Sequence, residues 1–102
     1  MTTFALSDKK MRLADKHGEV LGGRVLGEEI RAAVVRQVKS GENVVLDLDG
    51  VLAISPSFAD EIFGKLPLEV DDHVTFANVS RQIQTVANMA RAGRAGSGSG
   101  DA

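Results

Sequence analysis

The residues best suited to chemistry lie in one stretch in the middle of the chain. Asp47 and Asp49 stand two residues apart, after the apolar residues 44–46 and before Gly50. A carboxylate nucleophile and a proton donor with this spacing, at the end of a strand, suit phosphoryl transfer with Mg²⁺. A phosphatase is therefore the enzymatic hypothesis that the sequence offers.

This stretch resembles the first motif of haloacid-dehalogenase-type phosphatases. The resemblance implies that Asp47 accepts the phosphoryl group and that Asp49 is the general acid and base. It also implies metal ligation by Asp71 and Asp72 and charge neutralisation by Lys65. Only 53 residues follow Asp49, however, and such a fold needs several further strand–helix units. We therefore predict no enzymatic activity and keep the phosphatase as the alternative function.

The charge and the amino-acid composition of the chain argue against several classes of partner and cofactor. A net charge of −2 gives no reason to expect nucleic acid or an anionic membrane as the main partner. The chain has no cysteine, which excludes disulfides and thiolate metal sites, and its two histidines lack metal-like spacing. The glycine-rich residues 22–27 are similar to a phosphate-cradling loop but lack the Lys-Ser/Thr ending of a P-loop. We expect no cofactor and no metal.

The length and the termini predict a simple organisation. The 102 residues suit one domain, which we place at residues 1–92. Residues 93–102, which are rich in Gly, Ser and Ala, have nothing to bury and are predicted to form a disordered tail. The first residues lack the pattern of a signal peptide, and no apolar run approaches the roughly 20 residues that span a bilayer. A cytoplasmic location is predicted.

Hydrophobic periodicity predicts the elements that precede and include the acidic stretch. Alternating apolar residues predict short strands at 2–6 and 11–13, which could form a hairpin across a turn at 7–9. Apolar residues at three- and four-residue spacing predict an amphipathic helix at 23–39. The apolar run at 44–48 predicts a buried central strand.

The remaining elements follow the acidic stretch. A helix predicted at 57–66 carries an apolar stripe formed by Phe58, Ile62 and Leu66, and Pro67 ends it. A last strand is predicted to follow near residues 73–78. A third helix then begins after a serine N-cap at position 80.

A second resemblance covers far more of the chain. Five segments together resemble the bacterial STAS-like domain family of unknown function, a relative of the STAS domains of sulfate transporters and anti-sigma factor antagonists: residues 11–15, 21–31, 44–51, 54–66 and 74–79. The most specific part is Ser-Phe-Ala-Asp-Glu at 57–61 with Gly-Gly-Arg at 22–24. The resemblance implies an α/β fold, with a small mixed sheet of four or five strands and about three helices packed on it.

The resemblance also implies a function. Anti-sigma factor antagonists carry an Asp-Ser-Ser-Gly motif whose second serine is phosphorylated by the anti-sigma kinase. Ser55, Pro56, Ser57 and Phe58 occupy those positions, so Ser57 matches the phosphorylated serine and the other three differ from the motif. We expect a non-catalytic regulatory module that binds another protein, such as a histidine-kinase-like ATPase or an anti-sigma factor. A passive structural adaptor without a switch is the further alternative.

The predicted partner-binding site surrounds the start of this helix and comprises Arg24, Ser55, Ser57, Asp60 and Glu61. Its serines also have a purely structural interpretation. Ser57 with Asp60 forms an approximate capping box, and Ser55 before Pro56 is an alternative N-cap.

The charged residues have structural interpretations as well. Asp47 could accept backbone N–H groups at the strand end or pair with Arg24, because an unpaired buried carboxylate is costly. Asp60, Glu61 and Lys65 are expected on the solvated face of their helix.

Overall fold

The computed structural model describes the backbone of residues 8–100 and the side chains of residues 8–94. Its strands are β1 (Asp8–Arg12), β2 (Val20–Leu21), β3 (Asn43–Asp47), β4 (Ala53–Ile54) and β5 (Val74–Ala77). Its α-helices are α1 (Leu13–His17), α2 (Arg24–Lys39), α3 (Pro56–Ala59), α4 (Leu66–Val70) and α5 (Arg81–Gly100). A π-helical segment, Asp60–Lys65, joins α3 to α4, and a 3₁₀ turn, Asp71–His73, leads into β5.

The strands pair in two parallel sheets. In the larger sheet β3 lies between β1 and β5, with Asp47 in register with Arg12 on one side and Ala77 on the other. In the smaller sheet β2 pairs with β4, with Leu21 opposite Ile54. Parallel neighbours need crossover connections, which α2 and the α3–α4 helix supply. The carboxyl ends of β1, β3 and β5 therefore meet at one edge.

The core lies between the larger sheet and the helices. Phe58, Ile62 and Leu66, the predicted apolar stripe, are all fully buried. Val44 and Leu46 of β3 are fully buried as well, as expected for the central strand of a parallel sheet. The α/β fold class, the amphipathic α2 and the central strand are thus confirmed.

The amino-terminal part differs from its prediction. Residues 2–6, the first strand of the predicted hairpin, lie outside the described residues. Asp8 and Lys9, predicted to form a turn, belong to β1 because they pair in register with Asn43 and Val44 of β3. The larger sheet is parallel throughout the described residues, whereas a mixed sheet is predicted.

The prediction that Pro67 ends the helix is wrong. Pro67 lies in the first turn of α4, where a missing backbone N–H is tolerated, and α4 continues to Val70. The preceding π-helical segment changes the hydrogen-bonding pattern just before the proline. Leu66 and Val70 are both buried, so packing favours the added helical turn.

The carboxyl-terminal helix is longer than predicted. Ser80 accepts a hydrogen bond from the backbone N–H of Ile83, which confirms the predicted N-cap. The helix runs to Gly100, past residue 93, where the predicted disordered tail begins. Arg94, in the first turn of the predicted tail, binds the Asp60 carboxylate through its guanidinium group.

Candidate functional site

Ser55 begins the helix of the predicted site. Its hydroxyl oxygen accepts hydrogen bonds from the backbone N–H groups of Phe58, at 3.2 Å, and Gly23, at 3.0 Å. Pro56 follows at the first helical position, where its fixed φ suits a helix start. Ser55 is thus the N-cap, and it also ties the helix to the loop before α2.

Ser57 has no capping role in this arrangement. Its hydroxyl lies 3.3 Å from the Ser55 hydroxyl, and it forms no other side-chain hydrogen bond within the described part of the chain. The side chain is half-buried. The Ser57 hydroxyl is therefore not needed to hold the helix start.

Exposed apolar side chains lie beside this helix start. Val20, Val25 and Leu52 are 67%, 72% and 59% exposed. The β2–β4 pair brings Leu52 next to Glu19 through a 2.7 Å backbone hydrogen bond, and Ser55 extends the same pairing with a bond to the Leu21 carbonyl. We call Val20, Val25, Leu52 and Ser57 the α3 surface.

Two small pockets between α5 and the β4–α3 junction adjoin the α3 surface and share Val86. Leu52 and Ile54 line the first, and Pro56 and Met89 line the second. Met89 is 67% exposed. The region around the helix start therefore combines hydroxyl groups with apolar contact area.

Arg24 joins α2 to the helix of the predicted site. Its Nη1 donates to Asp60 Oδ2 at 2.9 Å and to Glu61 Oε2 at 2.5 Å. The structure thus brings Arg24, Asp60 and Glu61 of the predicted site together. The alternative pairing of Arg24 with Asp47 is not formed.

Glu61 is buried, so the prediction of a solvated position is wrong. Its side chain is 0% exposed and accepts hydrogen bonds from Arg24, Arg31 and Lys65. Burial alone would raise the pKa of Glu61, but the bonds from Lys65, Arg24 and Arg31 hold that pKa below its ordinary value. We call these four residues the Glu61 cluster.

Two glycines allow the helices to close around the π-helical segment. A Cβ atom on Gly27 of α2 would stand 2.7 Å from Glu61 Cβ, which real contacts do not allow. On the other side, a Cβ atom on Gly64 would stand 2.9 Å from Asp60 Oδ1 and 3.1 Å from Arg94 Cγ. Close approach of α2 and α5 is thus the physical reason that Asp60 and Glu61 lie in an interface.

Asp60 faces α5 as well as α2. Its two carboxylate oxygens accept from Nε and Nη2 of Arg94, and its side chain is 20% exposed. These bonds, with that from Arg24, hold the pKa of Asp60 well below its ordinary value. The expected solvated position of Asp60 is therefore also wrong.

Asp47 lies at the carboxyl end of β3 and is 3% exposed. Its Oδ1 accepts from the backbone N–H of Asp49 at 3.0 Å and from Asn78 Nδ2 at 2.8 Å, while Lys10 Nζ lies 3.5 Å from Oδ2. The bond from Asn78, followed by that from Asp49, lowers the pKa of Asp47. The interpretation that Asp47 accepts a backbone N–H is confirmed.

The other residues of the phosphatase hypothesis are not brought to Asp47 and Asp49. Asp71 and Asp72 precede β5, at the opposite end of the parallel sheet from Asp47. Lys65 binds Glu61, and Asp49 is exposed and pairs with Arg12 at 3.2 Å. Among the described residues, no group of three or more acids or histidines is placed to hold a metal ion.

Sequence reasoning missed Arg31, Arg94 and Asn78, which complete these carboxylate sites. Two local signals were available. Glu61 and Lys65 have the four-residue spacing of a helical ion pair, and Gly27 inside a helical pattern indicates close packing. Neither signal identifies the partner element, because the residues that meet are separated by 30 or more positions.

The elements and the site together define a small α/β domain with parallel strand pairs and a helix start that carries two serines. In residues 8–100 no helix is both long enough and apolar enough to cross a membrane. A family model described as a STAS-like domain of unknown function (DUF4325) matches residues 27–84, more than half of the sequence. The chain belongs to this family.

The match confirms the STAS-like resemblance and includes Ser55, Ser57, Asp60 and Glu61, whereas Arg24 precedes it. Neither the curated proteins nor the solved structures gave a match.

Proposed function

We propose that this chain is a non-catalytic regulatory module that binds another protein through the α3 surface and is switched by phosphorylation of Ser57. Membership of a STAS-like family supports a regulatory module as the class of function. The partner that the family resemblance favours is a histidine-kinase-like ATPase or an anti-sigma factor.

One observation carries the proposal: Ser55 caps the helix, so the Ser57 hydroxyl has no structural task that a phosphate would destroy. Val20, Val25 and Leu52 supply exposed apolar area on the segments that adjoin the helix start. A phosphate adds a charge of about −1.5 to −2 at neutral pH. Placed among apolar contacts, that charge would oppose binding without a change of fold.

The first experiment identifies the contact face. A photoreactive benzophenone side chain replaces Leu52 in one variant and Leu68 in a matched control. Both leucines are exposed, at 59% and 73%, but Leu68 lies on α4, away from the α3 surface. We expect one protein to be crosslinked from position 52 and not from position 68. Equal crosslinking from both positions would contradict a specific α3 surface.

The second experiment measures the switch by calorimetry with the crosslinked partner. Ser57→Ala should bind within about twofold of the natural protein, whereas Ser57→Glu should bind at least about 30-fold more weakly, because a mismatched charge within an interface costs about 2–5 kcal/mol. Ser80→Glu, at the start of α5, is the control for a charge at a helix start. If Ser57→Ala and Ser57→Glu bind the partner with equal affinity, the chain is a passive adaptor without a switch.

The non-catalytic part of the proposal has its own assay. Purified protein with Mg²⁺ should hydrolyse a general phosphatase substrate no faster than Asp47→Asn. Turnover that disappears in Asp47→Asn would favour the phosphatase alternative.

A further inference from the structure

We propose that Arg24 is the internal receptor for the phosphate on Ser57, which it binds with the unused edge of its guanidinium group. The inference deepens the proposed function and rests on its modification of Ser57. Arg24 thus has a second role, which appears only when Ser57 is phosphorylated, besides its contacts with Asp60 and Glu61.

The first observation is the pattern of donors that Arg24 uses. Its Nη1 makes both the Asp60 and the Glu61 contact, and within the side chains described for residues 8–94 its Nε and Nη2 have no hydrogen-bond partner. Arg31 uses Nε and Nη1, and Arg94 uses Nε and Nη2. Of these three arginines, Arg24 alone keeps the edge formed by Nε and Nη2 free for another ligand.

The second observation is where the Arg24 side chain runs. The backbone N–H of the preceding residue, Gly23, binds Ser55 Oγ at 3.0 Å, and Ser55 Oγ lies 3.3 Å from Ser57 Oγ. The far end of Arg24 binds Asp60, which follows Ser57 by three residues and therefore lies on the same face of the helix. Ser57 is thus 3.3 Å from the hydroxyl that binds the residue before Arg24, and it precedes by about one helical turn the carboxylate that Arg24 contacts.

The third observation is that Arg24 is redundant in its present pairs. Without it Glu61 keeps Arg31 and Lys65, and Asp60 keeps both bonds from Arg94. Arg24 is also 45% exposed on its side chain, more than Arg31 at 24%. Arg24 can therefore turn toward a new anion without leaving a buried carboxylate uncompensated.

The chemistry of the two groups agrees with this placement. A guanidinium group presents paired N–H donors that match phosphate oxygens, and such charge-assisted bonds are stronger than neutral ones. The modification itself needs ATP and a protein kinase. Ser57 Oγ forms the bond to the γ-phosphorus, the bond from that phosphorus to ADP breaks, and the hydroxyl proton passes to the base of the kinase.

The test uses the isolated full chain with phosphoserine encoded at position 57, and the phosphate is titrated by ³¹P NMR. Pairing with Arg24 should lower the second pKa of the phosphate by about 0.5–1 relative to the same phosphoprotein carrying Arg24→Gln. Arg31→Gln is the matched control, because it removes another arginine of the Glu61 cluster whose donors are already used. It should leave the phosphate pKa unchanged.

A second measurement needs no substitution at Arg24. In the ¹⁵N spectrum of the phosphorylated chain, the Nε–H resonance of Arg24 should shift relative to the unmodified chain, while that of Arg94 stays in place. A phosphate pKa that Arg24→Gln leaves unchanged, or an unmoved Arg24 resonance, would overturn the inference. Neither measurement includes the partner, so a failure here is distinguishable from a failure of partner binding.

Discussion

Glu61 and Asp47 are both buried carboxylates, but different groups balance their charges. Glu61 accepts hydrogen bonds from three cationic side chains, two on α2 and one on its own helix. The closest partners of Asp47 are neutral, a backbone N–H and the amide of Asn78, and Lys10 is 3.5 Å away with a side chain that is 64% exposed.

The comparison explains what each carboxylate contributes to the domain. The Glu61 cluster is a charged contact between helices, so a neutral side chain in place of Glu61 leaves cations without their counter-ion. At Asp47, two neutral hydrogen-bond donors connect the turn after β3 to Asn78, which follows β5. An amide can supply much of that hydrogen bonding. We therefore expect the acidic motif that suggested catalysis to depend less on its charge than the Glu61 cluster does.

Acid is expected to cause the largest loss of stability, because it neutralises both regions. The pKa values of Asp47, Asp60 and Glu61 are all lowered in the folded protein from ordinary values of 3.8, 3.8 and 4.5. Their stabilisation is complete above the ordinary values and is lost as the pH falls through the lowered ones. Urea midpoints at pH 7, 5, 4 and 3 should therefore decrease steeply below pH 5.

The same pH series, repeated on two variants, distinguishes the contribution of Glu61 from that of Asp47. Glu61→Gln and Asp47→Asn each remove one titrating group, so the pH dependence of each variant should be shallower than that of the natural protein. A midpoint that is equal at pH 7 and pH 3 would contradict charged carboxylates in both regions.

At neutral pH, Glu61→Gln is expected to be the most damaging single substitution in the comparison. It leaves Arg24, Arg31 and Lys65 with one counter-charge fewer, and breaking a buried ion pair in this way costs about 3 kcal/mol. Glu69→Gln is the matched control, because Glu69 also binds Arg31 but is 42% exposed. Its cost should stay below about 1 kcal/mol. Denaturant melts measure the free energy of unfolding of both variants, and their slopes should be unchanged. If the two substitutions cost the same free energy, the burial of Glu61 does not increase its contribution to stability.

Gly27→Ala tests whether close helix packing creates the Glu61 cluster. The new Cβ would stand 2.7 Å from Glu61 Cβ, so α2 must move, at about 1–3 kcal/mol for overpacking. Gly93→Ala is the control within another helix, since nothing lies within 4 Å of its Cβ position. It should stabilise the helix by up to about 1 kcal/mol. If Gly27→Ala and Gly93→Ala both stabilise the protein, the proposed role of Gly27 is contradicted.

Some parts of the fold and of the carboxylate sites could be predicted from the sequence. The bond from Asp49 to Asp47 was predictable because both residues belong to one local turn. The central strand and α2 were predictable because apolar periodicity records which face is buried. These features depend on neighbouring residues alone.

The burial of Glu61 depends on contacts that are distant in sequence. A π-helical segment changes which side chains share a face with Phe58 and Ile62, and no local pattern of the chain indicated it. The space for Glu61 comes from Gly27, on another helix. The same reasoning applies to Ser55, whose capping role is fixed partly by the bond from Gly23.

Asp47→Asn is expected to give the smallest loss of the three test substitutions, at most about 1 kcal/mol, the scale of one net hydrogen bond. The asparagine carbonyl oxygen can still accept from Asn78 and from the Asp49 N–H, and only the 3.5 Å contact with Lys10 changes in kind. Lys10→Gln is the control, and its cost should be below about 1 kcal/mol because the Lys10 side chain is largely exposed. Denaturant melts at pH 7 measure both variants beside Glu61→Gln. If Asp47→Asn costs as much as Glu61→Gln, Asp47 also depends on its charge, and the distinction between neutral and cationic partners does not hold.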